Sequence, residues 1–295
     1  MTEFLQALAN PAIPFLRYAL LAGILSSLAF GTVGTYVVVR RISYLAGAIA
    51  HCVLGGIGAA LYLQNAAGWT WLEPLHGALF ASVLAALAIG WVSLRARQRE
   101  DTVIGAMWAV GMAAGLIFLA KTPGYIDPMS YLFGNILLIS SADLWLIAGL
   151  DLLVVAVAIL FYNKFLAVCF DDVFARVRGI RVEFYYMLLL GLISLTVVLL
   201  VSVVGIVMVI ALLTLPAAMA GHFSRRLWQM MAIGTVICML LTSAGLAVSY
   251  VHDLPTGGTI IILAGLAYLG VVTFGQGRWL RRNGGRGLRR RRPAE

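Results

Sequence analysis

Charge is what this sequence has least of. Only 11% of its 295 residues are Asp, Glu, Lys or Arg, whereas a soluble domain carries about 25%. Acidic residues are the scarcest, 12 in all, and the mean hydropathy is +0.98. A polar shell cannot be built from so little, so lipid must cover much of the surface. Cysteine is nearly absent too. Cys52, Cys169 and Cys238 are scattered and form no Cys-x-x-Cys pair, which excludes a disulfide framework and leaves small apolar packing residues. Cys52 keeps further interest because it adjoins His51. The sequence also lacks a nucleotide-binding Gly-x-x-x-x-Gly-Lys, a His-Glu-x-x-His and a Gly-x-Ser-x-Gly. No catalytic residue and no bound cofactor is therefore expected. If ATP drives its work, another chain must bind the nucleotide. No cleavable signal peptide is expected either: the first apolar run, from about Pro14 to Val39, is too long and has no small-residue cleavage site.

What the sequence has instead is apolar length. Runs of about 20 residues, enough for a helix to cross a hydrocarbon core of about 30 Å, recur from end to end. They predict an all-α, polytopic transmembrane bundle of eight or nine spans, at about 14–39, 44–64, 75–95, 102–120, 131–162, 183–203, 204–221, 227–250 and 259–276. Charges fix its orientation. If the spans alternate, Arg40, Arg41, Arg95 to Arg99, Lys164, Arg176, Arg178, Arg181, Arg225, Arg226 and the Arg-rich tail fall on one side. That is 19 of the 21 basic residues, with Arg17 and Lys121 opposite. The positive-inside rule makes the common side cytoplasmic, the N-terminus outside and the C-terminus inside. The net charge of +9 invites a nucleic-acid reading, but residues 278–295 hold eight Arg and one Glu, +7 of the total. A basic tail beside a membrane helix is an anchor facing anionic lipid, and nucleic acid is not expected as a partner. The organisation is thus a transmembrane domain over residues 1–277 and a basic cytoplasmic tail over 278–295.

Two stretches resist a simple count. Residues 183–221 are almost uncharged and about twice the length of one crossing, with basic flanks, so the chain should go out and return. No polar loop marks the turn; the Gly205 region can supply it. The segment 131–162 is too long for one straight helix and is punctuated by Gly134, Asn135, Ser140 and Ser141. It reads as a short outer half-helix leading into a full span, which membrane depth tolerates where protein or a cavity covers it. Gly and Ser also serve plain helix packing. Between the fifth and sixth spans lies a polar insertion from Asn163 to Arg181. Asp171 and Asp172 can cap a short helix there, with Val173, Phe174 and Val177 on one face and an end at Gly179. Such a helix either lies on lipid or docks on a cytoplasmic partner.

Ionisable residues inside spans are few, and burying a charged one costs at least about 2.5–3.5 kcal/mol, so each is a functional candidate. His51 lies eight residues after Ser43, about 12 Å into the membrane. Neutral imidazole is a common ligand for Zn, Mn and related ions. The small residues around it, Ala46, Gly47, Ala48, Ala50, Gly55, Gly56 and Gly58, equally suit a histidine packed in a close helix interface. Asp151 sits about eleven residues before Tyr162, also at mid-membrane. It is either a transport residue, a carboxyl kept protonated by its surroundings, or one paired with a polar neighbour. Asp127 and Asp253 fall at the outer mouth, where acidic groups concentrate cations.

At four places the chain resembles the metal-importer permeases of ABC transporters, the zinc and manganese permeases. These are RRISYLAGAIAHCVLGGIGAAL from Arg40 to Leu61, DPMSYLFGNILLIS from Asp127 to Ser140, FDDVFARVRGI from Phe170 to Ile180, and SYVHDLPTGGTIII from Ser249 to Ile262. They occur in family order and span most of the chain. The resemblance implies an all-α permease subunit of a bacterial cytoplasmic membrane importer for a divalent transition metal, Zn, Mn or Fe. It implies a homodimer, an ABC ATP-binding subunit that uses the ATP, and an extracytoplasmic metal-binding protein as partners. It casts residues 171–180 as a coupling helix that enters the ATPase, with Asp171, Asp172, Phe174, Val177, Arg178 and Gly179 as its contact and capping residues. It carries over His51 as a metal contact. Four residues earlier, where many members carry an Asp, this chain has Gly47; Asp151 and Asp127 are the carboxylates left to complete a ligand set. A siderophore or cobalamin permease and a gradient-driven secondary carrier are the rival readings. The carrier would need paired intramembrane acids and inverted repeats, and His51 with Asp151 is too thin a set for a membrane enzyme.

With nine crossings the two chain ends face opposite sides. Thr2→Cys and Ala294→Cys, each in a chain freed of its own three cysteines, should react with an impermeant thiol reagent from opposite faces of the membrane. Reaction from the same face would force a different span count, most readily in 131–162 or 183–221.

Overall fold

A computed structural model describes residues 2–9, 14–95, 100–124, 127–134 and 139–287. Arg97, Arg99, Asn135 and the end of the basic tail from 288 lie outside the described residues. Among those described, the chain is helical throughout: α1 (Thr2–Ala9), α2 (Pro14–Val39), α3 (Ser43–Ala66), α4 (Pro74–Arg95), α5 (Glu100–Lys121), α6 (Pro128–Phe133), α7 (Ser141–Leu160), α8 (Tyr162–Phe170), α9 (Asp172–Val177), α10 (Val182–Val204), α11 (Ile206–Phe223), α12 (Leu227–His252) and α13 (Thr256–Gly287). Nine of them are long and apolar enough to cross a membrane: α2, α3, α4, α5, α7, α10, α11, α12 and α13. At 1.5 Å per residue, α7 with its 20 residues spans about 30 Å, one hydrocarbon core.

The spans form two groups. In one, α3 lies between α4 and α5, and α4 leans on α10; in the other, α2 is surrounded by α7, α11 and α12, with α13 outside α11 and α12. The cores of α2 and α3 are the most buried, and α5, α13 and α7 the least. Lipid tails are as apolar as Leu, so burial alone does not hold helices together there; close backbone approach does. In α3, a methyl on Gly55, Gly56 or Gly58 would run into the carbonyl oxygens of Gly111, Gly77 and Gly115 respectively. The small residues of α3 therefore let α4 and α5 close on it from two sides.

Both irregular stretches resolve at glycine. The run 183–221 is two helices, and the whole turn between them is Gly205, with φ +87°. At ψ 156° this is a region that only glycine enters readily, at a cost of about 1–3 kcal/mol to other residues, and a side chain there would also strike the backbone of Phe133 and Gly134. Gly134, with φ +70°, ends α6 and faces the Val204 carbonyl in return. The half-helix α6 thus plugs the turn of the α10–α11 hairpin, where no polar loop exists. The expected span over 131–162 is shorter than its apolar run. It crosses from Ser141 to Leu160, entered through a reciprocal cap in which Asp143 N–H donates to Ser140 Oγ and Ser140 N–H to Asp143 Oδ2.

The polar insertion holds two helices, α8 and α9, rather than the single one expected, because Asp171, in extended backbone, ends α8 and caps α9. A further short helix, α1, was not foreseen; it sits where Phe4 meets the Tyr250 ring edge-on at 6.0 Å and the Leu8 carbonyl accepts from Arg17 Nε at 2.7 Å.

Candidate functional site

Two places carry chemistry. The first is the end of the bundle that carries α8 and α9, where α9 is held as a knob. Asp171 caps it, its carboxylate accepting from Phe174 N–H at 3.0 Å. Gly179, with φ +75°, ends it, and Ile180 N–H returns to the Ala175 carbonyl at 3.0 Å, closing the last turn. Ala175 is fully buried, while Val173, Phe174 and Val177 are 72%, 50% and 83% exposed. Arg178 lays its guanidinium 4.8 Å from the centre of the Phe174 ring and borders a hollow shared with Lys164, Phe170 and Asp171. The predicted face is therefore real, and it points away from the bundle.

Sequence reasoning missed what fixes this knob. Arg40, read only as a topology charge, grips Asp172 with both guanidinium nitrogens at 2.7 and 2.8 Å and donates to the Val168 carbonyl at 2.6 Å. It also lies 5.3 Å from the centre of the Tyr186 ring. One side chain thus joins the end of α2 to α8, α9 and α10. Burial works against its charge, yet the hydrogen bond and charge of Asp172 outweigh that and raise its pKa above the ordinary value. Beside it, burial pushes the Cys169 thiol up to about 12, which leaves an inert packing group.

The second place is His51. Its ring is buried, 6% exposed, and Nδ1 lies 2.8 Å from the Gly47 carbonyl oxygen one turn earlier. A carbonyl only accepts, so Nδ1 carries the proton and the neutral ring keeps the Nε2 lone pair, the form that ligates a cation. Trp108 of α5 stacks on the imidazole, ring centres 4.3 Å apart and planes at 29°. Cys52, next in the chain, also meets α5, its thiol 3.4 Å from the Met107 carbonyl. It lines an apolar cavity of about 890 Å³ with Ala59, Leu63, Trp71 and Phe80, of which His51 is not a wall.

The other candidates are not brought to His51. Asp151 is 4% exposed and belongs to the α2 group, where its Oδ1 accepts from Ala29 N–H at 3.1 Å and its Oδ2 has no hydrogen-bond partner among the described residues. Asp127 caps α6, accepting from Met129 N–H at 3.0 Å. Asp253 ends α12 in a left-handed backbone, φ +52°. Among the described residues no three His, Cys, Asp or Glu side chains gather to hold a metal ion. A one-chain ligand set of His51, Asp151 and Asp127 is thus not assembled; each stands on a different element.

Comparison with known proteins matches residues 12–275 to the model of the ABC 3 transport family. The chain is 44% identical over 256 residues to an uncharacterised membrane protein of Synechocystis, covering 86% of this chain and 89% of that protein. It is 35% identical over 251 residues to the manganese transport system membrane protein of Halalkalibacterium halodurans, covering 85% and 84%. Among solved structures it is similar to the PsaBC complex of Streptococcus pneumoniae bound to a Fab, with TM-score 0.80, 28% identity, and coverage of 92% of this chain and 94% of that one.

Arg40→Ala should loosen the knob without unfolding the spans. The side chains of Arg40 and Asp172 are 20% and 40% exposed, so solvent replaces part of the loss. The local cost should be about 1–2 kcal/mol, below the 3–5 of a fully buried pair. Amide exchange over 163–181 should then accelerate roughly tenfold while α2 and α11 stay protected. Unchanged exchange would mean that α8 packing alone holds the knob.

Proposed function

The chain belongs to the ABC 3 transport family, and from that premise we propose that it is the membrane-spanning permease of an ATP-driven importer for a divalent transition metal. The observation that carries the reading is the coincidence of the family match over 12–275 with a cytoplasmic knob whose apolar side chains project from the bundle. The manganese system of Halalkalibacterium halodurans, 35% identical, supports manganese as cargo; zinc and iron suit the same imidazole chemistry.

On this reading the permease works as a homodimer in a bacterial cytoplasmic membrane. An extracytoplasmic binding protein delivers the ion at the outer mouth. A separate ABC subunit binds and hydrolyses ATP and is gripped by α9, where Phe174 and Val177 enter it while Asp171, Asp172 and Gly179 keep the helix short and set. Nucleotide binding in that partner biases the dimer between outward- and inward-open states. His51 then offers Nε2 as a transient contact for the passing ion. A single imidazole per chain, with no carboxylate beside it, is a weak stop, which suits passage rather than storage. Asp151, held on α2, supports the helix pair it joins rather than the path.

Two experiments test this. Phe174→Ala with Val177→Ala should leave the protein in the membrane but abolish co-purification with the ATPase and the stimulation of its activity. Normal capture and stimulation would remove α9 from the coupling role. His51→Ala should lower uptake of Mn²⁺ at limiting metal by roughly tenfold or more, the scale on which even outer partners of a metal ligand count, with ATPase docking and melting temperature unchanged. Unchanged uptake would take His51 off the path, and lost uptake together with lost thermal stability would mark it as a packing residue.

A further inference from the structure

At the end of the bundle that carries α8 and α9, three spans leave a groove of about 450 Å³. α7 and α12 each pack on α2, and Thr32 of α2, 8% exposed, is the floor between them. Val155, Ala158 and Ile159 of α7 form one wall and Met231 of α12 the other. Val155 stands five residues before the end of α7, and Met231 four after the start of α12. At 1.5 Å per residue they lie about 8 and 6 Å inside their spans. The groove is therefore apolar and sits at the depth of acyl chains.

Its mouth is polar and basic. Tyr162 and Trp228 line it, residues of the kind that gather where a membrane meets water. The Tyr162 hydroxyl accepts from Trp228 N–H at 3.2 Å and keeps its own proton to donate. Asn163, exposed, borders both this groove and the adjoining hollow that holds Lys164. Arg225 and Arg226, exposed as well, stand three and two residues before Trp228. Among the described residues none of these three cations is in an ion pair. The carboxylates of the same end are engaged elsewhere: Asp172 by Arg40, Glu183 by Arg176 at 2.9 Å, and Asp171 by Phe174 N–H. An apolar slot that opens on unpaired cations fits a molecule with an apolar chain joined to an anion. Free phosphate would leave the slot unfilled, and a neutral lipid would leave the cations unanswered. A second copy on a two-fold axis along the membrane normal would set the same cations face to face.

We propose that this groove is a site for an anionic phospholipid. One acyl chain lies between α7 and α12 over Thr32. The phosphate rests at Tyr162 and Asn163, with the long side chains of Lys164, Arg225 and Arg226 around it. The lipid then braces two spans that each lean on α2. The site depends only on the chain spanning a membrane, not on what it transports.

The probe is phosphatidylglycerol with a photoreactive diazirine on one acyl chain, added to the purified full-length chain in detergent. Labelled peptides are read by mass spectrometry. Wild type should carry label on 155–159 and 228–231. One basic group beside an anionic head counts for roughly fivefold in binding, and three are present. Unlabelled phosphatidylglycerol should therefore displace the probe at least roughly tenfold better than phosphatidylcholine with the same chains. Inorganic phosphate should not displace it. Lys164→Gln with Arg225→Gln and Arg226→Gln should bring the two lipids to within about twofold of each other, with the melting temperature in lipid-free detergent unchanged. Val155→Trp, which fills the groove, should remove the label there and leave it on other spans; if that variant does not accumulate, Val155→Phe takes its place. Label spread evenly over the lipid-facing spans, equal displacement by the two lipids, or a preference that survives in the triple variant overturns the site. Displacement by inorganic phosphate overturns it as well. So does label that appears only on the monomeric chain, which would give the groove to a second copy.

Discussion

In a bilayer the peptide group has no water to turn to, so every N–H and C=O must find its partner inside the protein. The rest of this molecule follows from that requirement. It makes each crossing a helix, and it forbids a loose loop wherever the chain turns at depth. The α10–α11 turn meets the requirement with a single residue. Gly205 N–H bonds back to the Val201 carbonyl at 3.0 Å, and its own carbonyl accepts from Val209 N–H at 3.0 Å, so the ladders of both helices run up to the reversal itself. The half-helix α6 then covers the reversal with its own end at Gly134.

The same requirement explains why so few polar side chains inside the spans are free for function. Ser26, Ser27, Thr35 and Thr242 each donate to a carbonyl four residues earlier, at 2.6 to 2.9 Å. A hydroxyl that bonds within its own helix is satisfied and silent. His51 begins in the same way, with Nδ1 on the carbonyl four residues back, but imidazole has a second nitrogen that a hydroxyl lacks. That difference separates a packing polar group from one that can hold an ion. Asp151 occupies the middle ground, one oxygen bonded across to α2 and the other unpartnered among the described residues.

The nine spans were legible because length and hydropathy are one-dimensional properties; each begins and ends within a few residues of where the apolar runs place it, apart from the late start of α7. The α9 cap was legible for a similar reason, since Asp171 and Gly179 act on their own neighbours. What could not be read is which helix lies beside which. A lipid-facing Leu and a protein-facing Leu leave the same mark in the sequence, so apolar spans carry no pattern that names their partners. Arg40 and Asp172 are 132 residues apart, and nothing about either announces the other. Trp108 is just as mute: in sequence it is one more aromatic in an apolar run, and only the packing of α5 on α3 stacks it on the His51 ring. The gap at Gly47 was visible, but its occupant, the same indole, was not.

That packing also sets the distance between the two candidate places. Arg40 ends α2, Arg41 turns the chain with φ +62°, and α3 begins at Ser43. The residue that grips the knob is therefore three positions from the helix that carries Tyr44 and His51, and eleven from His51 itself. Anything that displaces α9 pulls on Arg40 through two short charged bonds and a third to the Val168 carbonyl, and so on the base of α3. At that base the neighbours are aromatic rings in van der Waals contact, which repack between discrete positions rather than deform smoothly. α9 and the foot of the helix that holds His51 are thus joined through one arginine and three residues of chain.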